Sequence, residues 1–70
     1  MKEYSLSCPK MDMHMKGSFK ELVDIAFEEL VIFGSISMSQ LGQDHWVLWS
    51  HTVNAKWEIE QEEVATIYPC

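Results

Sequence analysis

Five side chains in this sequence could ligate a transition metal: Cys8, His14, His45, His51 and Cys70. Their spacing argues against a shared ion. The chain has no C-x-x-C and no H-x-x-x-H, the spacings that bring zinc ligands together on one turn or one helical face. His45 and His51 fall in one strand-like run, which would hold them roughly 20 Å apart at ~3.3 Å per residue. Met11-Asp12-Met13-His14-Met15 gathers three thioethers around an imidazole, a donor set suited to Cu(I). The plainer expectation is that these methionines pack over the exposed sheet face, because flexible thioethers fill irregular gaps well. No metal and no other cofactor is expected.

Cys8 or Cys70 beside a histidine could form a thiol–imidazole pair. No catalytic-cysteine signature surrounds either one, and 70 residues leave little room for a substrate cleft. Two free thiols are expected. A Cys8–Cys70 bridge would close almost the whole chain and could stabilise it by about 4 kcal/mol through lost chain entropy. Enzyme activity is not expected.

The carboxylates are more suggestive. Glu58, Glu60 and Glu62 alternate along one segment, and Glu63 follows. A regular strand would set the first three in a row, roughly 6.6–6.8 Å apart. Paired carboxylates serve as acid and base in glycosidases, but no sugar cleft is apparent here. A solvated face that aids solubility is one reading. The other is an anionic array that docks in a basic groove, where complementary charge speeds encounter.

Three tryptophans complete the set. In Trp46-Val47-Leu48-Trp49 the run is apolar on both faces, since successive strand side chains point to opposite sides. Trp46 and Trp49 must therefore face opposite ways, and one helix can cover only one of them. Tryptophan is also enriched at interface hot spots. Trp46, Trp49, Glu58, Glu60, Glu62 and Glu63 are thus the candidate partner-binding residues. Trp57 and Ile59 are expected to face the helix, with Glu58 and Glu60 toward solvent.

Composition restricts the partner. The chain has 11 acidic residues, 5 lysines and no arginine, with a net charge of −6. Arginine is the usual residue for bidentate phosphate and base recognition, and a polyanion repels a polyanion. Direct nucleic-acid binding is not expected. The hydrophobic share is 47%, that of a globular protein. The longest purely apolar runs, Leu30 to Phe33 and Trp46 to Trp49, fall far short of a membrane span. Met1-Lys2-Glu3-Tyr4 lacks the apolar stretch of a signal peptide, so a cytoplasmic location is expected, without membrane association.

The elements that position these residues follow from periodicity. Tyr4-Ser5-Leu6-Ser7 alternates as a short strand, broken at Pro9, and Met11 to Gly17 reads as loop. Ser18-Phe19-Lys20-Glu21 is a capping box that opens a helix to about Phe33, with Gly34 as its stop. Phe19, Leu22, Val23, Ala26, Phe27, Leu30 and Phe33 form its apolar face. Ile25 and Ile32 interrupt the opposite, acidic side. Residues 35–68 then alternate as an antiparallel meander, with turns near Gly42 and Asn54; Val64 to Tyr68 either continues the last strand past a bulge near Gln61-Glu62-Glu63 or forms a separate short one. The expectation is a single domain of class α+β, β-α-β-β-β, with one helix packed on a small antiparallel sheet.

The function expected on these grounds is a small acidic protein-binding regulator or inhibitor. The type is a virus- or mobile-element-encoded protein that blocks a nucleic-acid-handling host complex, as anti-CRISPR and antirestriction proteins do. The analogy is one of class, not of residues. The second expectation is a structural homodimer, or a small subunit whose apolar strand face is its assembly interface.

Overall fold

The computed structural model describes residues 2–70. Five strands form one antiparallel sheet: β1 (Tyr4–Cys8), β2 (Met13–Gly17), β3 (Ser35–Gln40), β4 (Trp46–Val53) and β5 (Ile59–Pro69). Their order across the sheet is β2-β1-β5-β4-β3. One helix, α1 (Phe19–Glu29), packs on one face. The α+β class expected from the sequence is the class observed, with one strand more.

That extra strand is β2, which replaces part of the expected loop. Pro9 ends β1 and opens a short 3-10 turn, Pro9–Met11. Asp12 then takes a left-handed conformation (φ 50°), and its amide donates to the Pro9 carbonyl at 3.2 Å. The chain reverses, and Met13–Gly17 pairs antiparallel with β1. Met13 and Met15 pack against the core, while His14 pairs with Ser7 on the other face. The methionines therefore fill space on the helix side, not on the exposed side.

Ser18 caps α1, accepting a hydrogen bond from the Glu21 amide at 3.3 Å. The Glu21 carboxylate lies over Gly17, where an added Cβ would stand 3.0 Å from Oε2. We expect Ser18→Ala to destabilise the fold by about 1 kcal/mol, read from urea unfolding, because it orphans an amide of the first turn.

The last turn tightens to a 3-10 helix over Leu30–Phe33, and Gly34 ends it at φ 106°. A Cβ there would meet Thr52 Cγ2 at 3.1 Å and the His51 carbonyl oxygen at 3.2 Å. Both conformation and close approach require glycine at this stop.

The core joins Leu22, Ala26 and Leu30 to Leu6 and Cys8 of β1, Leu48 of β4, and Val64, Ala65 and Ile67 of β5. Phe19, Val23 and Phe33 border it as expected, and so does Ile25. Phe27 does not join them and is 40% exposed. The helix lies mainly over β1 and β2, which leaves Phe27 on its flank. Ile32 stays open to solvent.

β4 and β5 run on beyond β1, flanked by β3 as far as His51 and then two-stranded to the turn, as an arm within overall dimensions of 46 × 23 × 17 Å. A bulge alters this arm. Leu48 pairs with Ala65, but Trp49 pairs with Glu63, so Val64 is the extra residue. Every β5 side chain before Val64 is thereby moved to the face opposite the one regular alternation would give it.

Candidate protein-contact site on the open face and the hairpin arm

Trp46 and Trp49 do face opposite sides of the sheet. Trp46 is half-buried on the helix side, with its ring centroid 4.4 Å from Phe19 and 5.9 Å from Tyr4. That aromatic cluster ties α1 to β1 and β4, so Trp46 is occupied within its own chain. Trp49 lies on the open face, half-buried, and its indole N–H donates to Ser39 Oγ at 2.8 Å. Of the two tryptophans, Trp49 is the one available to a partner.

The carboxylates divide between the two faces because of the bulge. Glu60 pairs with Thr52 and Glu62 with Ser50, on the helix side of the sheet. Glu62 also forms an ion pair with Lys10. Glu63 pairs directly with Trp49 on the open face, and Glu58 lies in the turn at the tip of the arm. All four are exposed. Thus Trp49 and Glu63 come together, Glu58, Glu60 and Glu62 line the arm, and Trp46 stands apart from all of them.

The same shift corrects the expected placement of Trp57 and Ile59. Ile59 pairs with Val53 on the open face and is 72% exposed, and Trp57 at the tip is 86% exposed. Neither touches the helix. Val53 is also exposed. The end of the arm therefore presents three apolar side chains among carboxylates.

The turn that carries Trp57 is closely specified. The Trp57 amide donates to the Asn54 carbonyl at 3.0 Å, and the Asn54 amide to the Glu58 carbonyl at 3.1 Å. Asn54 Oδ1 accepts from the amides of Lys56 (2.9 Å) and Glu58 (3.1 Å). Asn54 Nδ2 donates to Glu60 Oε1 at 3.0 Å. This turn needs a left-handed residue to rejoin the strand, a position that glycine ordinarily fills. Here Trp57 fills it, at φ 63°. The sequence signal was the absence of glycine between Val53 and Ile59.

Other groups are held apart or already engaged. Cys70 neighbours Glu3, whose carbonyl accepts its amide at 2.9 Å. Cys8 lies at the far end of β1, roughly 15 Å away at ~3.3 Å per residue. A disulfide needs Cα atoms within about 7 Å, and both cysteines are free. The Cys70 thiol lies 2.8 Å from Ser5 Oγ. His51 Nε2 meets Ser37 Oγ at 2.6 Å, and His14 Nε2 meets Tyr68 Oη at 3.4 Å. Among the described residues, no three of the His, Cys, Asp and Glu side chains form a group that could hold a metal ion.

A depression of about 330 Å³ opens beside the bulge, lined by Ser7, Pro9, Lys10, Glu63, Val64, Ala65 and Thr66. Lys2 pairs with Asp44, which holds the Asp44 carboxyl below, and the Lys2 ammonium above, their ordinary pKa values. No helix among the described residues is long and apolar enough to cross a membrane. No family model matches the chain, and neither does any curated protein or solved structure.

Proposed function

We propose that this chain is a small acidic protein-binding regulator that contacts its partner through the β4–β5 arm. The observation that carries the reading is Trp57, held left-handed at the tip and 86% exposed. A left-handed backbone costs a non-glycine residue roughly 1–2 kcal/mol. Leaving a large aromatic ring in water forgoes a further stabilisation of about 2 kcal/mol. The Asn54 hydrogen bonds hold the turn, but the chain gives the ring almost no cover. A pocket on a partner would offset both, and backbone strain of this kind clusters at functional sites.

The surroundings of the tip indicate the partner's chemistry. Val53 and Ile59 widen the apolar contact on the open face; Glu58 stands beside Trp57, with Lys56 on its other side, Glu60 and Glu62 carry negative charge on the opposite face of the arm, and Glu63 adds to it beside Trp49. The matching surface is an apolar pocket rimmed by lysine and arginine. Proteins that grip nucleic acid carry such basic surfaces. An inhibitor that occupies the groove of a nucleic-acid-handling complex fits this description. Trp49 and Glu63 extend the same contact along the open face.

Affinity capture with mass spectrometry identifies the partner, and kinetics with the purified partner test the assignment. Replacing Glu58, Glu60 and Glu62 with glutamine should slow association by about tenfold at low salt and flatten its salt dependence. Dissociation should change little. An association rate that the triple variant leaves unchanged would exclude the arm as the steering element.

A further inference from the structure

We propose that β3 is a self-pairing edge, and that two copies of the chain join through it into one continuous ten-stranded sheet. The observation is independent of the arm. Exposed sheet edges offer unpaired amides and carbonyls, and proteins usually guard them with charge, proline or bulges. β2, at one edge, carries His14 and Lys16. The part of β5 that extends beyond its pairing with β1 carries Glu60, Glu62 and Glu63. β3, at the other edge, is Ser35-Ile36-Ser37-Met38-Ser39-Gln40. It contains no charge and no proline, and its pairing with β4 has no register shift.

The occupant that fits this edge is a second copy of the chain, because β3 is complementary to itself. A two-fold axis through Ser37, perpendicular to the sheet, makes the two strands antiparallel and keeps both helices on one side. Ser37 then lies opposite Ser37 of the second copy, Ile36 opposite Met38, and Ser35 opposite Ser39. Hydroxyl meets hydroxyl on the open face, where cross-strand serine pairs are favourable. Apolar meets apolar on the helix side, where Ile36 and Met38 already border the core. No like charges oppose one another within the paired strands. The reversal also brings the strand end that precedes exposed Leu41 alongside the end that follows exposed Val31 and Ile32. Each arm continues past the Ser35 end of its own β3, so the two acidic arms leave the dimer in opposite directions.

The register makes the test specific. In a Cys70→Ser background, residues at position 37 of the two copies would have Cα atoms roughly 4.5–5.5 Å apart, within disulfide range. Residues at position 35 would stand more than about 13 Å from their mates. Ser37→Cys should therefore oxidise in air to a covalent dimer, while Ser35→Cys should form no cross-link and run as a monomer on a denaturing, non-reducing gel. Sedimentation of the wild-type chain should show a reversible dimer that Ser37→Lys dissociates, since it sets two lysines face to face. Ser37 is exposed, and circular dichroism of each variant checks that the fold is retained. A wild-type chain that sediments as a monomer up to hundreds of micromolar would overturn the proposal. Equal cross-linking of the two cysteine variants, or a dimer that survives Ser37→Lys, would overturn it as well.

Discussion

Leu48→Ala is expected to lower stability by about 3 kcal/mol, within the roughly 2–5 kcal/mol range of buried leucine truncations. Leu48 is fully buried on an interior strand, between Met38 of β3 and Ala65 of β5. Alanine beside Ala65 would leave two small residues in adjacent strands, with a cavity that no larger neighbour in that pair can fill. A domain of this size rarely has more than roughly 3–5 kcal/mol in total from a single core. The variant should therefore be largely unfolded at 37 °C by circular dichroism, while the wild type is folded. Val47→Ala is the informative comparison. Val47 is as buried as Leu48 but lies on the open face, outside the helix-side core. Its loss should cost roughly 1–2 kcal/mol, because fewer methylenes are removed and solvent borders that face. Equal losses at both positions would mean that the helix-side cluster is not what chiefly holds the sheet.

What the sequence made legible was local. The Ser18 cap, the apolar stripe of α1 and the Gly34 stop all depend on neighbours within one or two turns. The opposition of Trp46 and Trp49 depends only on strand parity. β2 was obscured because Met13 and Met15 read equally well as thioether ligands and as the inner face of a strand, with His14 and Lys16 alternating against them. The choice turned on a pairing with β1 across the Pro9 turn. The insertion of β1 between β2 and β5 joins residues that lie 59 to 65 positions apart in the chain, beyond any local pattern. The bulge had the largest effect on the candidate site. A bulge near Gln61-Glu62-Glu63 is one of two readings of this segment, but no glycine or proline there fixes the extra residue, and Val64 in that role reverses the facing of everything from Ile59 to Glu63. For that reason the carboxylate row lies partly on the helix side of the sheet, and Ile59, expected to face the helix, lies open.

The second large effect is expected at Trp57, where one substitution should move stability and binding in opposite directions. Trp57→Gly relieves the left-handed strain at φ 63°. Glycine adopts that conformation without a Cβ clash, although its greater freedom in the unfolded chain offsets part of the gain. The net should be a stabilisation of about 1 kcal/mol, which for a chain of this size raises Tm by roughly 4–8 °C. The same change removes the aromatic anchor, so affinity for the partner should fall by about 2 kcal/mol or more, roughly thirtyfold. Trp57→Ala separates the two terms. It removes the ring but keeps a Cβ in the left-handed region, so it should lose the same affinity without gaining stability. The hydrogen bonds of Asn54 to the turn amides persist in both variants, so the loop should keep its shape. Unchanged affinity in both variants would assign the contact to Trp49 and Glu63 instead. Lower stability in Trp57→Gly would mean that the ring is held by its own arm and is not offered to a partner. If both outcomes hold, a turn that a single glycine could relax, yet that holds a tryptophan outward, has given up stability for contact, as the proposed function requires.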